Sequence, residues 1–337
     1  MADYSTLAKV LHRLALGGLG EMLHDIERAR FLKKAPEGSG KNVFVTGLAR
    51  AGTTILMREI HGTGAFGSLT YADMPFVLAP NTWARLSKKG SKPGKRAERA
   101  HGDGIEVDTH SPEALEEVFW RVRDGKAYIK ADHLLPHRPD AEAMSDYKDF
   151  IRLVLLRTGK TRYLAKNNNN FLRLGTLARA FPMSDVLIPV RDPLQHARSL
   201  LDQHKRFLTP DAFTRSYMTW LVHHEFGATH RPFRFGAPAK GDPGGMDYWL
   251  RLWIEAHQVM LAVEETLANI RFLPSEAIGQ DAAMWRMIAR RLEIQAGPLR
   301  EIRAPKVTAV GAHDAGLARE ALGLHARLLE RSKLKLA

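Results

Sequence analysis

The stretch VFVTGLARAGTT, Val43 to Thr54, most constrains what this chain can fold into. Three apolar β-formers run into a loop bounded by Gly47 and Gly52, and a helix-compatible segment starts at Thr53. A buried strand that passes through such a loop into a helix makes an anion cradle. Backbone N–H groups and the positive end of the helix dipole face one point. The unit also implies an α/β architecture, because its strand and helix must both pack on a largely parallel sheet.

The loop differs from an ATP or GTP loop, in which Lys and then Ser or Thr follow the second glycine. Here Thr53 and Thr54 follow Gly52, so no lysine reaches a transferred γ-phosphate. Leu48, Ala49 and Ala51 offer backbone N–H groups, and Thr53 and Thr54 add hydroxyls. Arg50 brings a planar fork suited to phosphate or sulfate oxygens.

A second anion site is expected at VLIPVRDPLQHARSL. Asp185 to Val190 reads as a strand covered on both faces, and Arg191 stands at its end, the edge where open α/β sheets bind ligands. Pro193 opens a helix whose inward stripe is Leu194, Ala197 and Leu201. That turns Ser199 to a polar face, from which it and Arg191 can meet one anion.

Further strands are expected at Arg162–Lys166 and, more weakly, in Ile270–Ile278. Helices are expected from Ser111–Pro112, over Asp140–Arg157, around 209–229 and 247–268, and from about His313. The run of Lys, Arg and Gly in 87–104 reads as a basic loop. The asparagines 167–170 suit turn and N-cap chemistry. The expected fold is a P-loop-type parallel sheet flanked by helices in one domain, 37–337, with residues 1–36 as an N-terminal helical extension broken at Gly17-Gly18.

Fifty Lys and Arg against 37 Asp and Glu give a net charge of +13, which favours anionic partners. With no cysteine, disulfides, thiolate catalysis and Cys-ligated zinc are excluded. The His223–Glu225 run lacks the spacing of a zinc helix, so no metal is expected. No apolar run is long enough to span a bilayer. A cytoplasmic protein is expected, and peripheral contact at the inner membrane surface is left open for the N-terminal helices.

Two anion sites on one sheet suit a nucleotide phosphorylated at both ends. GLARAGTT, followed by PVRDPLQHARSL with Arg191 and Ser199 eight residues apart, resembles the sulfotransferases that use 3′-phosphoadenosine 5′-phosphosulfate. The resemblance implies that the first loop holds the 5′-phosphosulfate and that Arg191 and Ser199 hold the 3′-phosphate, without metal. YLAKNNNNFLRLGTLARAFPMSDVLIPVRDP is similar to the Golgi carbohydrate and tyrosylprotein branch, which places Lys166 beside the transferred sulfate. Other stretches look like a bacterial sulfotransferase group. The chain departs from the family in having Ala51 where Ser is usual and in lacking a recognisable C-terminal Arg-Lys-Gly clasp.

By the same resemblance the acceptor is a hydroxyl compound, with a glycan or glycolipid favoured. The segment from His101 to Trp120, with Trp120 or Trp83 as a stacking face, would bind it. The base that accepts the hydroxyl proton is expected at Asp73, near the position of the branch's Glu. Asp103, Asp108, Glu113, His110, His223 and His224 are rivals, and Asp73 as a turn cap is the structural alternative. Two other readings remain open: a P-loop small-molecule kinase using Asp192 for magnesium, and a non-catalytic basic protein binding nucleotide or nucleic acid. No zinc-finger spacing, RNA-recognition motif or basic helical stripe supports nucleic acid.

Overall fold

A computed structural model describes residues 11, 12, 15, 19–87, 97, 98, 106–210, 212–299 and 307–336. In chain order its elements are helix α1 (Gly20–Phe31), strand β1 (Val43–Val45), α2 (Thr53–His61), α3 (Pro80–Leu86), the short pair β2 (Ala97–Glu98) and β3 (Glu106–Val107), α4 (Glu117–Tyr128) and α5 (Ala141–Thr158). Then come β4 (Leu164–Lys166), α6 (Leu174–Ala180), β5 (Asp185–Val190), α7 (Pro193–Arg206), α8 (Ala212–Trp220), α9 (Met246–Glu264), β6 (Ile270–Pro274), α10 (Ser275–Gln280), α11 (Ala282–Arg291) and α12 (Ala315–Leu336).

Four strands form one parallel sheet in the order β4-β1-β5-β6. Strand alternation sends successive side chains to opposite faces. Phe44, Val186, Ile188, Val190 and Phe272 join the larger apolar cluster, whose members also come from α4, α5, α7, α9 and α12. Val43, Val45, Leu164, Leu187 and Leu273 join a second cluster with residues of α2 and α11. Both faces are therefore covered, which is why β1 and β5 are buried along their whole length.

The topology fixes where a ligand can sit. The chain leaves β1 for its neighbour β4, then crosses back to β5 on the other side of β1. That reversal puts a crevice at the C-terminal end of β1. Register aligns Val45 with Lys166 on one side and with Leu187 on the other. The loop after β1 thus opens between the ends of β4 and β5.

The expected α/β class with a parallel sheet flanked by helices is the observed one. Differences lie at element ends: β4 begins at Leu164, and β6 stops at Pro274, so that the rest of the strand expected over Ile270–Ile278 belongs to α10. α4 begins at Glu117, six residues after Ser111, because the Ser111 hydroxyl instead bonds the Asp108 carboxylate at 3.0 Å in a turn. The helix expected around 209–229 stops at Trp220, where His223 N–H bonds Met218 C=O and Val222 N–H bonds Thr219 C=O. Those two bonds make a Schellman ending, with Val222 at the left-handed position (φ 56°) where glycine is the usual occupant. The basic loop 87–104 and the first N-terminal helix fall mostly outside the described residues.

Candidate functional site

The loop 46–52 takes its shape from two glycines with different jobs. Gly47 has φ 122°, and a Cβ there would stand 3.3 Å from Ile188. Gly52 has φ 93° and open space around it, so its need is conformational alone. Gly52 leads into α2 with no side-chain cap. The first N–H groups of α2 therefore face the crevice unpaired by any cap, and the helix dipole adds positive potential there.

Arg50 also has a left-handed backbone (φ 71°), which is uncommon for a non-glycine residue. Its Nε donates to Ser199 Oγ at 3.3 Å, and Arg191 Nη1 donates to the Arg50 C=O at 3.4 Å. Residues 141 and 149 positions apart in the chain thus meet at one place. Arg191 Nε is buried without a hydrogen-bond partner. Burial lowers the pKa of Arg191, with the nearby Arg50 charge acting the same way and Glu276 opposing it. The two like charges act on each other, and an anion bound beside them would offset that repulsion.

The loop is braced from behind. Trp253 Nε1 donates to His196 Nδ1 at 3.1 Å, so the other ring nitrogen, Nε2, carries the proton and donates to the Ala49 C=O at 2.7 Å. His196 is fully buried, and burial holds its pKa well below the ordinary value. On the other side Ser275 Oγ donates to the Ala51 C=O at 2.7 Å. These bonds turn loop carbonyls away from the crevice. Asp192 accepts from Gln195 N–H at 2.9 Å as the cap of α7, while its own N–H donates to Glu276.

Lys166, buried at the end of β4, pairs in register with Val45, the last residue of β1 before the loop. Asn167 caps the 3₁₀ turn Asn168–Arg173 by accepting from Asn169 N–H at 3.0 Å, the turn chemistry expected of the asparagine run. Asn168 ties three segments together. Its C=O accepts from Thr46 Oγ1 at 3.2 Å, its Oδ1 accepts from Thr53 Oγ1 at 3.3 Å, and its Nδ2 donates to Glu225 at 2.9 Å. The Thr53 hydroxyl is thereby committed to Asn168.

Asp73 sits in a different role from Arg50 and Arg191. Its Oδ2 accepts from the Thr70 N–H at 2.9 Å and hydroxyl at 3.2 Å in a capping box, and Oδ1 lies 3.2 Å from Arg157 Nε. Burial pushes its pKa up, partly offset by Arg157 and Thr70. Among the described residues no hydrogen bond or ion pair joins it to the loop. Trp120 is fully buried and cannot serve as a stacking face, whereas Trp83 is half-buried, with its ring against Phe76 (centroids 4.9 Å apart) and its Nε1 donating to the Ala72 C=O at 3.0 Å. Glu116 and Glu117, in the segment expected to bind the acceptor, are buried as well.

Sequence reasoning missed Asn168, Glu225 and His196. Each acts through contacts far along the chain, and only the polar runs NNNN and HHE marked two of the places.

No curated protein matches the sequence. Solved structures similar in shape include sulfotransferase STF1 from Mycobacterium tuberculosis, with 15% identity over 99% of this chain and 85% of that one and a TM-score of 0.52. Sulfotransferase STF9 from Mycobacterium avium is 13% identical over 94% and 75%, with a TM-score of 0.48. A sulfotransferase from Alicyclobacillus acidocaldarius is 14% identical over 88% and 95%, with a TM-score of 0.39. At these identities the first shares the fold. The model of the sulfotransferase family matches residues 42–231, which is more than half of the chain and contains the loop, Lys166, Arg191 and Ser199. The chain belongs to the sulfotransferase family.

Proposed function

We propose that the protein transfers the sulfuryl group of 3′-phosphoadenosine 5′-phosphosulfate to a hydroxyl of a glycan or glycolipid. The observation that carries this reading is the meeting of Arg50, Arg191 and Ser199 at the switch point of the sheet. One cluster of two guanidiniums and a hydroxyl, beside an uncapped helix N-terminus, suits a nucleotide with anions at both ends. In this reading residues 47–54 and Arg50 hold the 5′-phosphosulfate, and Arg191 with Ser199 holds the 3′-phosphate. Lys166 stabilises charge on the sulfuryl and bridging oxygens.

Sulfuryl transfer is an in-line displacement, in which positioning and electrostatic stabilisation supply most of the acceleration. The pair of arginines does both, since a planar fork fixes oxygens in direction as well as in charge. The half-buried Trp83 supports a sugar-bearing acceptor, because an apolar ring face suits the C–H face of a pyranose. Asp192, the aspartate a kinase would need for magnesium, has one oxygen engaged as the cap of α7.

Thermal unfolding with added nucleotides tests the reading. Adenosine 3′,5′-bisphosphate at a hundred times its Kd should stabilise the protein by about 2.7 kcal/mol, with no need of magnesium. Arg191→Ala should remove most of that shift. A larger shift with magnesium ATP, or with a random oligonucleotide, overturns it. Labelled donor offered with a panel of sugars, glycolipids, phenols and tyrosine peptides then identifies the acceptor class.

A further inference from the structure

The turn after α8 is strained for a reason visible around it. Val222 is β-branched, 1% exposed, and held at φ 56°. A residue of that type in the left-handed region is strained and persists only where its surroundings over-determine it. Its C=O accepts from Asn169 Nδ2 at 3.2 Å, which anchors the turn to the segment that follows Lys166. The effect is to swing the next three residues back toward the end of β4.

Two of those residues form a pair. His223 Nδ1 stands 3.6 Å from Glu225 Oε1, and the imidazole is 12% exposed. The same Glu225 oxygen accepts from Asn168 Nδ2, and Asn168 in turn accepts from Thr53, the first residue of α2. A continuous set of polar contacts therefore runs from the nucleotide loop to this pair. Glu225 Oε2 is buried and has no hydrogen-bond partner. Burial acts to raise the Glu225 pKa, but His223, Lys166 and Asn168 outweigh it and hold the carboxyl well below the ordinary range. Glu225 on the same segment thus faces His223, and Lys166 on β4 acts on the same Glu225 carboxylate. The adjacent His224 is kept neutral by burial, with a pKa lowered to about 4.

We propose that His223 takes the proton of the acceptor hydroxyl, with Glu225 as its positioning residue; this rests on the sulfuryl-transfer reading above. The acceptor oxygen forms its bond to sulfur while the bond from sulfur to the bridging phosphate oxygen breaks. The electron pair of that bond leaves on the adenosine bisphosphate, and the hydroxyl proton passes to His223 Nε2. Glu225 Oε1, 3.6 Å from Nδ1, orients the ring by its charge, which favours Nε2 as the basic nitrogen and stabilises the imidazolium as it forms. Lys166 on the same side meets the negative charge of the leaving oxygen. Asp73, with one oxygen in a cap and the other against Arg157, has no comparable path to the loop.

Three measurements on the full chain test this. Turnover is followed as release of bisphosphate from labelled donor, so that water serves as acceptor where no better one is present. His223→Gln should lower it by about 100-fold, the scale of general-base catalysis, and abolish the acid limb of the pH profile. Adenosine 3′,5′-bisphosphate should still bind to that variant. Glu225→Gln should keep an acid limb but move it to lower pH, a change that lost packing alone does not produce. Nitrogen-15 spectra of the imidazoles should show the neutral form of His223 with a proton on Nδ1 and none on Nε2, and its signals should move when bisphosphate is added. A proton on Nε2 with a bare Nδ1, or full turnover with an intact acid limb in His223→Gln, overturns the assignment while bisphosphate binding leaves the wider reading standing. Failure of the unaltered protein to bind bisphosphate overturns the wider reading itself.

Discussion

At the scale of single residues, the site is assembled from backbone conformations that L-amino acids avoid and from side chains that make them affordable. Val222 gives the sharpest test. In a helix interior, Gly is worse than Ala by about 1 kcal/mol. At Val222, with φ 56°, the order should reverse. Both Val222→Gly and Val222→Ala forfeit the same buried side chain, but only alanine keeps the left-handed penalty, roughly 1–2 kcal/mol. Urea midpoints should therefore rank Val222→Gly above Val222→Ala; the opposite ranking would show that the turn relaxes. His196 offers a second test. Replacing it with Phe strands the Trp253 N–H and the Ala49 C=O, which His196 now satisfies. Each buried unsatisfied group costs about 1–3 kcal/mol, so global stability should fall by that order. Bisphosphate affinity should fall too, because the freed Ala49 carbonyl no longer holds its peptide turned outward. Unaltered affinity with lowered stability would reduce His196 to packing.

At the scale of elements, what could be read from the sequence was what local chemistry dictates. β5 runs from Asp185 to Val190 as its apolar run demands, and α7 starts at Pro193 with Asp192 as cap. Strand-end position and helical phase point to Arg191 with Ser199; the contacts made are Arg50 Nε to Ser199 Oγ and Arg191 Nη1 to the Arg50 C=O, which depend on the loop's left-handed turn at Arg50. The start of α4 was not legible, nor was the burial of its glutamates, since both depend on partners remote in the chain. Glu117 pairs at 2.8 and 2.9 Å with both terminal nitrogens of Arg173, whose Nε donates to His137 at 2.8 Å. Arg173 also lies over the rings of Trp120 and Tyr128. Glu116 accepts from Tyr147 and Tyr163 hydroxyls and from Asn170. An isolated reading of EALEEVFW sees a solvated acidic face; only a cation on the turn after β4 makes the burial tolerable. Arg173→Met should cost about 3–5 kcal/mol, because it leaves the Glu117 charge buried and unpaired. Combining it with Glu117→Leu should recover most of that loss. A double-mutant cycle with additive losses would mean that the two groups are independently solvated.

At the scale of the whole molecule, the protein should be unusually sensitive to acid, and the sign follows from its buried histidines. Burial lowers His224 and His230 to about 4 and His257 to about 3, and it lowers His137 as well, against an ordinary value of 6.5. In the unfolded chain these groups bind protons below about pH 6.5, and in the folded protein they stay neutral until near pH 4. The unfolded state thus gains protons first as pH falls, so the stability present above 6.5 is lost progressively between 6.5 and 4. Each such histidine contributes a slope of up to about 1.4 kcal/mol per pH unit in that window. Asp73 and Glu116, raised by burial, act in the opposite sense, but only near and above the ordinary carboxylate range. The formal charge of +13 grows as further groups protonate, which adds self-repulsion to the compact state. Against a typical total stability of about 5–15 kcal/mol, several histidines acting together should bring unfolding to around pH 5. Urea midpoints taken from pH 7.5 down to 5 should fall steeply. His257 is the informative single change: its ring stacks on Trp253 at 3.9 Å and Nδ1 bonds the Trp253 carbonyl, at a distance from Arg50 and Arg191 in the sequence and on a different helix from the loop. His257→Gln should lower stability at pH 7.5 yet flatten the acid slope by roughly one proton's worth, about 1.4 kcal/mol per unit. Midpoints that stay level from 7.5 to 5, or a slope that His257→Gln leaves untouched, would mean that these rings charge inside the folded protein without penalty.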